Sequence, residues 1–475
     1  MKIARRSLSL LLLLCLLITQ AVWAAADSSA TNEIQKIRIG QTDERVRIVI
    51  DTAAFPEFTT IRSEAPLQLL VYLPNTVNAG AESRTILNDP FVDAIGIAGF
   101  GPDQVRITVD LKMDSSYRVF PLKNPNRLVI DIVKKYEKKI QQDVMPGLKY
   151  TSWQRSGAGG PVWAHIVEID PQAGFALKPV LSNDIVPNVE PLLAMAERNK
   201  AIAAVNGSYF SSTGEIIGLL KLDGQIVSTP DLARCALGIL SDGTLLIDQV
   251  TYQGTLTLPD GRTQLVNGVN RSRGPDELIL YNSYYGSATG TNTYGSEYVV
   301  KDGKIAAITS GNTVIPTDGY VLSAHGVITK SLTDFKVGDS INLTQTLGPV
   351  WDKTVGALGA GPMLVKNGSV YVTTKIEEFG TDVAGGRAPR TAVGVTKDGG
   401  ILLVVVDGRQ QSSTGLTLLE LALLLQEVGA VQAVNLDGGG SSEMVINDKI
   451  VNKPSDGRER GLGDALLVVS TKLAN

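Results

Sequence analysis

Between residues 34 and 133 apolar and polar positions alternate in short bursts. Ile37 and Ile39 alternate with Lys36 and Arg38. Val46, Ile48 and Ile50 alternate with Arg45, Arg47 and Asp51, and the same period returns at Leu69, Val71 and Leu73. It recurs at Val105, Ile107, Val109 and Leu111, then at Leu128, Ile130 and Ile132. Period-two alternation broken by turns predicts a small antiparallel β-sandwich over 34–133. There is an internal echo. Residues 46–51 resemble 105–110, and 69–73 resemble 128–132. The echo predicts that each half forms a strand pair of one sheet, the halves being related by a pseudo-twofold.

A charged run, Lys134 to Lys139, and Pro146-Gly147 follow, so 134–147 reads as a solvated linker. A larger domain then occupies 148–475. Val162 to Ile169 is a strand, Pro191 to Asn199 a short helix, and Ile202 to Val205 a strand running into Asn206-Gly207-Ser208-Tyr209-Phe210. Residues 214–248 read as hairpins. Strands with Gly-, Asn-, Ser- and Thr-rich loops continue to about 347, and 250–345 reads as an inserted β-rich lobe.

The richest pattern runs from Ile401 to Glu443. An apolar run, Ile401 to Val406, ends in Asp407-Gly408-Arg409. A helical pattern starts at Thr417, with a capping box to Glu420, and stops at Gly429. A second apolar run, Val431 to Leu436, ends in Asp437-Gly438-Gly439-Gly440-Ser441-Ser442-Glu443. Neither run alternates, which suits strands buried on both faces. This predicts strand, helix, strand as one crossover of a parallel sheet, with both aspartates on one edge. The same pattern also suits a buried crossover with ordinary turn glycines. The fold class expected is α+β: a small N-terminal β-sandwich, then a larger α+β domain with a mixed central sheet.

The first residues carry an address. Lys2, Arg5 and Arg6 precede an apolar run from Leu8 to Ile18 and small residues around Ala24-Ala25-Ala26. This is the pattern of a secretory signal peptide over 1–26, and the run is too short to span a bilayer. Its removal takes three positive charges from a chain of net charge −4. An acidic body argues against nucleic-acid binding driven by bulk charge. No later stretch is long and apolar enough to span a membrane. Cleavage would leave Cys235 as the single cysteine, so no internal disulfide is expected.

Charged groups gather in loops at predicted strand ends. Arg387, Arg390, Arg409 and Arg460 present guanidinium forks suited to phosphate or carboxylate. Gly438, Gly439, Gly440, Ser441 and Ser442 could turn backbone N–H groups inward as an anion nest. Asn206 can donate and accept, which suits a sugar or phosphoester. Asp407, Asp437 and Glu443 are the candidate catalytic acids, and Asp464 is a further polar group at a strand start. The expectation is that the tips after Val406 and Leu436 lie side by side and enclose an oxyanion. No Walker A run and no Gly-x-Ser-x-Gly elbow occurs. With two histidines a histidine-rich zinc site is not indicated. The three acids could instead hold Ca²⁺ or Mg²⁺ through oxygen. No other cofactor is indicated.

Two resemblances add to this reading. Residues 34–133 resemble the AMIN domain, which implies an envelope module binding a cell-wall or extracellular glycopolymer. Asn206 to Phe210, Arg390 to Gly394, Asp407-Gly408-Arg409 and Asn435 to Ser442 resemble the phosphodiester glycosidase family. That implies removal of a sugar joined through its anomeric carbon to a phosphodiester. Phosphate would lie against Arg390, Arg409 and the Gly438–Ser442 loop, with Asp437 or Glu443 as general base and Asp407 assisting. The site of action would be the periplasm or cell envelope. A non-catalytic protein binding phosphate-linked polysaccharide and a metal-dependent phosphodiesterase are the competing readings.

Overall fold

A computed structural model describes residues 32–471 apart from positions 43, 79–83, 114, 135, 158 and 411. The signal-peptide segment lies outside the described residues. Strand accounts for 53% and helix for 9%, so the architecture is β-dominated and matches α+β only loosely. The chain divides into two compact units, residues up to 136 and residues 137–475.

The first unit contains two five-stranded sheets. Alternation works as expected. Val46, Ile48, Ile50, Leu69, Val71, Leu73, Ile107, Val109, Leu128, Ile130 and Ile132 are buried in one core. Polar partners line the outer faces, where Arg47 forks Asp131 through Nε and Nη2, both at 2.7 Å. The echoing segments pair differently from the expectation. Arg45–Thr52 pairs with Arg127–Val133, and Leu67–Pro74 with Gln104–Leu111. Each central pair therefore takes one strand from each half, so the halves exchange strands across the sandwich.

In the second unit an eight-stranded sheet runs in the order Glu137–Met145, Leu148–Gly157, Gly160–Ile169, Ile401–Val406, Arg390–Thr396, Ala430–Asn435, Met363–Lys366, Ser369–Val370. Two expectations are corrected here. Residues 137–145 are an edge strand, not a solvated linker. All but one of these side chains are exposed, which gave the segment a linker's composition. The crossover is also not a parallel pair. Ile401–Val406 and Ala430–Asn435 both run antiparallel to Arg390–Thr396, which lies between them. They are thus parallel to each other but one strand apart, and their C-terminal ends still share one edge.

The helix joining them spans Leu418–Glu427. Thr417 caps it with the reciprocal Glu420 contact, and Gly429 follows at φ 94°. Leu418, Leu421, Leu424 and Leu425 bury one face, while Leu419 and Leu423 stay in solvent. A five-stranded sheet containing Ala203–Asn206 and Asp464–Ser470 packs against the first, and a third contains Arg234–Leu240 and Thr354–Gly359. Val205, Leu237, Leu358, Val393, Leu403, Val405, Val434 and Leu466 form one core shared by all three. Residues 253–346 add further sheets with a core around Leu256, Leu280 and Leu322.

Candidate active site

The site forms where strand ends from two sheets meet, and Asn206 ties them. Its Oδ1 accepts from the Thr391 hydroxyl at 2.7 Å and the Glu443 N–H at 3.2 Å. Its Nδ2 donates to the Asp437 carbonyl at 2.7 Å. Asn206 is 1% exposed and faces protein, so the expected sugar contact gives way to a structural clamp. Glycines let the surrounding loops touch backbone to backbone. A Cβ on Gly408 would sit 2.5 Å from the Pro389 nitrogen, and one on Gly415 2.4 Å from the Ala388 oxygen.

These loops enclose a cavity of about 640 Å³. Its walls include Tyr209, Phe210, Asp382, Arg390, Arg409, Asn435, Asp437, Gly438, Gly439, Gly440, Ser441 and Arg460. Arg390 is 3% exposed. Its nitrogens donate to the carbonyls of Leu416, Val383 and Gly386 at 3.0–3.1 Å, and no carboxylate among the described residues pairs with it. Burial, with Arg409 nearby, lowers its pKa from the ordinary value, although a guanidinium keeps its charge. A buried cation without a counter-charge is costly, and an anion in the cavity would relieve that cost. The Arg409 guanidinium lies beside Gly439, exposed and without an ion pair among the described residues. Arg460 is held by Asp456 at 2.7 Å and reaches Ser441 Oγ at 3.4 Å.

Arg387 does not join them. It forks Glu420 at 2.7 and 2.5 Å, locking the start of the helix, and is absent from the cavity wall. The glycine loop is also corrected as an anion nest. Residues Gly439–Ser441 form a 3₁₀ turn. The N–H of Gly438 donates to Asp437 Oδ1, Gly439 to Pro389, Ser441 to Gly438 and Ser442 to Gly439. Most of the loop's donors are therefore spent on protein, and arginine side chains are the main charged donors left facing the cavity. Ser442 is buried behind the wall.

The acids separate. Asp437 alone of the three catalytic candidates lines the cavity. Burial pushes its pKa up to about 6, against the opposing pull of Ser441, the Gly438 N–H and Arg460. Glu443 is fully buried behind the loop. Burial and then the negative charge of Glu459 push it to about 8. Asp407 is tied elsewhere: Oδ1 accepts from Asn452 Nδ2 at 3.1 Å and the Lys453 N–H at 3.0 Å. Its Oδ2 lies 3.5 Å from His165 Nε2, and the other ring nitrogen is 2.7 Å from the Tyr150 hydroxyl. Asp407 and Asp437 thus share a sheet edge but face different surroundings. Asp464 is buried beneath the cavity, not in its wall. Its Oδ1 accepts the Ser208 N–H at 2.6 Å. Burial pushes its pKa to about 7, and the charge of Asp437 adds to the rise.

Tyr209, Asn435 and Asp382 were missed as wall residues. Asn435 Nδ2 donates to the Tyr209 hydroxyl, which donates to the Gly361 carbonyl, both at 2.8 Å. The first two stand inside the motifs Asn206 to Phe210 and Asn435 to Ser442, but neither carries a formal charge. Asp382 sits on a one-turn helix, Thr381–Ala384, with no pattern to mark it. No group of three or more His, Cys, Asp or Glu side chains that could hold a metal ion occurs among the described residues.

Comparison with known proteins agrees with both resemblances. Residues 294–469 match the phosphodiester glycosidase family and residues 36–132 match the AMIN domain. The mouse N-acetylglucosamine-1-phosphodiester α-N-acetylglucosaminidase is 32% identical over 170 residues, 33% of this chain and 30% of that enzyme. The matched stretch thus spans less than a third of that relative's length. A crystal structure of a hypothetical protein from Synechocystis superposes with TM-score 0.65 at 21% identity, covering 93% of this chain and 81% of that one. A Burkholderia pseudomallei structure gives 0.58 at 22%, covering 92% and 100%. These two likenesses establish the fold. AMIN domains are typical of periplasmic and envelope proteins. No helix among the described residues is long and apolar enough to cross a membrane.

Proposed function

We propose that the second unit hydrolyses a sugar-1-phosphodiester, sugar–O–PO₂⁻–O–R, in a cell-envelope or extracellular glycopolymer. One observation carries the reading. Arg390, a buried arginine with no carboxylate partner among the described residues, lines the same cavity as Asp437, whose pKa burial pushes up to about 6. Arg390 and Arg409 hold the phosphate. Asp437, with its pKa at about 6, is mostly ionised at neutral pH and takes the proton of the attacking water. If the C1–O bond breaks, the departing phosphomonoester has a second pKa of about 6 and needs little protonation. If the P–O bond breaks, the arginines carry the developing charge. The N-terminal unit, as an AMIN-like module, holds the exported protein near its polymer.

The test is release of free sugar from an aryl phosphodiester of a sugar 1-phosphate, by wild type and by Asp437→Asn. Turnover by wild type and its loss in the folded variant support the assignment. Full activity in the variant, or binding without turnover by wild type, overturns it. Label from ¹⁸O water found in the sugar marks C–O cleavage, and label in the phosphate marks P–O cleavage.

A further inference from the structure

A second cavity adjoins the first. Tyr209 and Ile217 line both. The smaller one measures about 130 Å³, and its other walls include Leu219, Leu232, Cys235 and Val250. Leu219, Cys235 and Val250 belong to the core, at 1–3% exposure. Ile217 and Leu232 are 45% and 43% exposed, so two large apolar side chains are left in water beside one small apolar hollow.

The hollow is built, not incidental. Tyr209 is pinned through its hydroxyl to the Gly361 carbonyl and Asn435. The floor at Gly359 is bare backbone, since a Cβ there would meet the Leu219 nitrogen at 2.9 Å. Of the charged wall residues, Arg234 is committed to the carbonyls of Glu377 and Glu378 and stacks 4.2 Å from the Phe379 ring centroid. Asp231 is drawn 3.9 Å from Arg271. Apart from Asp231, whose side chain is 69% exposed, the side chains left to meet a ligand are apolar. An apolar cavity of roughly 150 Å³ accepts benzene, so this volume suits one planar ring or a short branched alkyl group.

We infer that this hollow is a subsite for an apolar group on the alcohol arm of the phosphodiester, with Leu232 and Ile217 setting that preference. The sugar does not fit the role. Its hydroxyls would lie unpaired against Leu219 and Val250, at a cost of about 1–3 kcal/mol for each buried group. The larger cavity, with Asp382, Asp437 and Ser441, offers those hydroxyls partners. The inference rests on the proposed function, because the anion cavity is what brings the arm to the wall shared through Tyr209.

The test uses two phosphate monoesters that need no turnover. Phenyl phosphate and methyl phosphate are titrated calorimetrically into the whole protein at pH 8, where both are dianions. Burial of the ring should make phenyl phosphate bind about tenfold more tightly. Leu232→Trp, which fills the hollow from its exposed rim, should bring the two affinities within about twofold. Equal affinities in wild type, or a preference that survives the substitution, overturn the subsite, as does binding of neither ester. Binding with this preference but no hydrolysis of any sugar-1-phosphodiester removes the catalytic reading and leaves the subsite standing. Hydrolysis indifferent to the arm removes the subsite alone.

Discussion

Asp464→Asn separates the buried carboxyls under the cavity from the structure around them. Asp464 lies beneath Asp437. The Asp437 N–H donates to the Gly207 carbonyl, the Gly207 N–H to the Asp464 carbonyl, and the Ser208 N–H to Asp464 Oδ1. A Cβ on Gly207 would lie 2.3 Å from that oxygen, so the approach requires glycine. Oδ2 has no partner among the described residues. Burial raises the Asp464 pKa from 3.8 to about 7. A folded-state pKa above the unfolded value means that the fold holds its proton longer. The stability linked to Asp464 is therefore full below about pH 4 and is lost as pH rises through about 7. At 1.36 kcal/mol per pH unit, the whole effect is of order 4 kcal/mol.

Asparagine mimics the protonated acid and does not titrate. Its Oδ1 can still accept from Ser208, while its amide hydrogens lack a partner, a pH-independent cost of about 1–3 kcal/mol. The informative quantity is how the difference between variant and wild type changes with pH. Wild type should lose about 3 kcal/mol relative to the variant between pH 5 and pH 9. Urea titrations followed by tryptophan fluorescence read this unit, since Trp153, Trp163 and Trp351 lie in it and Trp23 precedes the described residues. In kinetics, Asp464 is itself mostly protonated where Asp437 titrates, so Asp464→Asn should leave the acid limb of kcat/KM, set by Asp437 at about 6, unmoved. A stability difference constant to about 0.5 kcal/mol across this range would refute the raised pKa of Asp464.

Arg390→Lys keeps the charge but cannot satisfy three carbonyls and a phosphate together. Its kcat/KM should fall about 10²-fold, and unchanged kinetics would remove Arg390 from the site. Arg387→Ala should lower the melting temperature by a few degrees by freeing Glu420 at the helix start. Its steady-state constants should stay within about twofold, and a large KM increase would return Arg387 to the substrate. Asn206→Ala removes three buried hydrogen bonds, so urea unfolding should show a loss of about 3 kcal/mol. A fully stable variant would mean that Asn206 is not the clamp.

What the sequence discloses here is which face is buried, and what it withholds is which partner lies beside it. Val46, Ile48 and Ile50 announce a half-buried strand because every second side chain meets the core. Nothing in that period says whether the neighbour is 67–74 or 127–133, so the echo was legible and its pairing was not. Strand 137–145 carries Lys138 and Lys139 in the manner of an exposed edge, a composition shared with a linker. The runs at 401–406 and 431–436 were recognisable as doubly buried. The intervening strand 390–396 comes earlier in the chain, and its single alanine, glycine and two threonines gave little sign of a central position. The arginines follow the same logic with charge in place of burial. Arg387 and Arg390 stand three residues apart in one loop and look equivalent. Glu420, far along the chain, neutralises the first, Asp456 holds Arg460, and no carboxylate among the described residues reaches Arg390 or Arg409. An arginine becomes available to a ligand through the absence of a protein anion, and that absence exists only in three dimensions. Of these four arginines, the two left without one line the cavity with Asp437, so the fold has kept uncompensated positive charge beside that carboxyl.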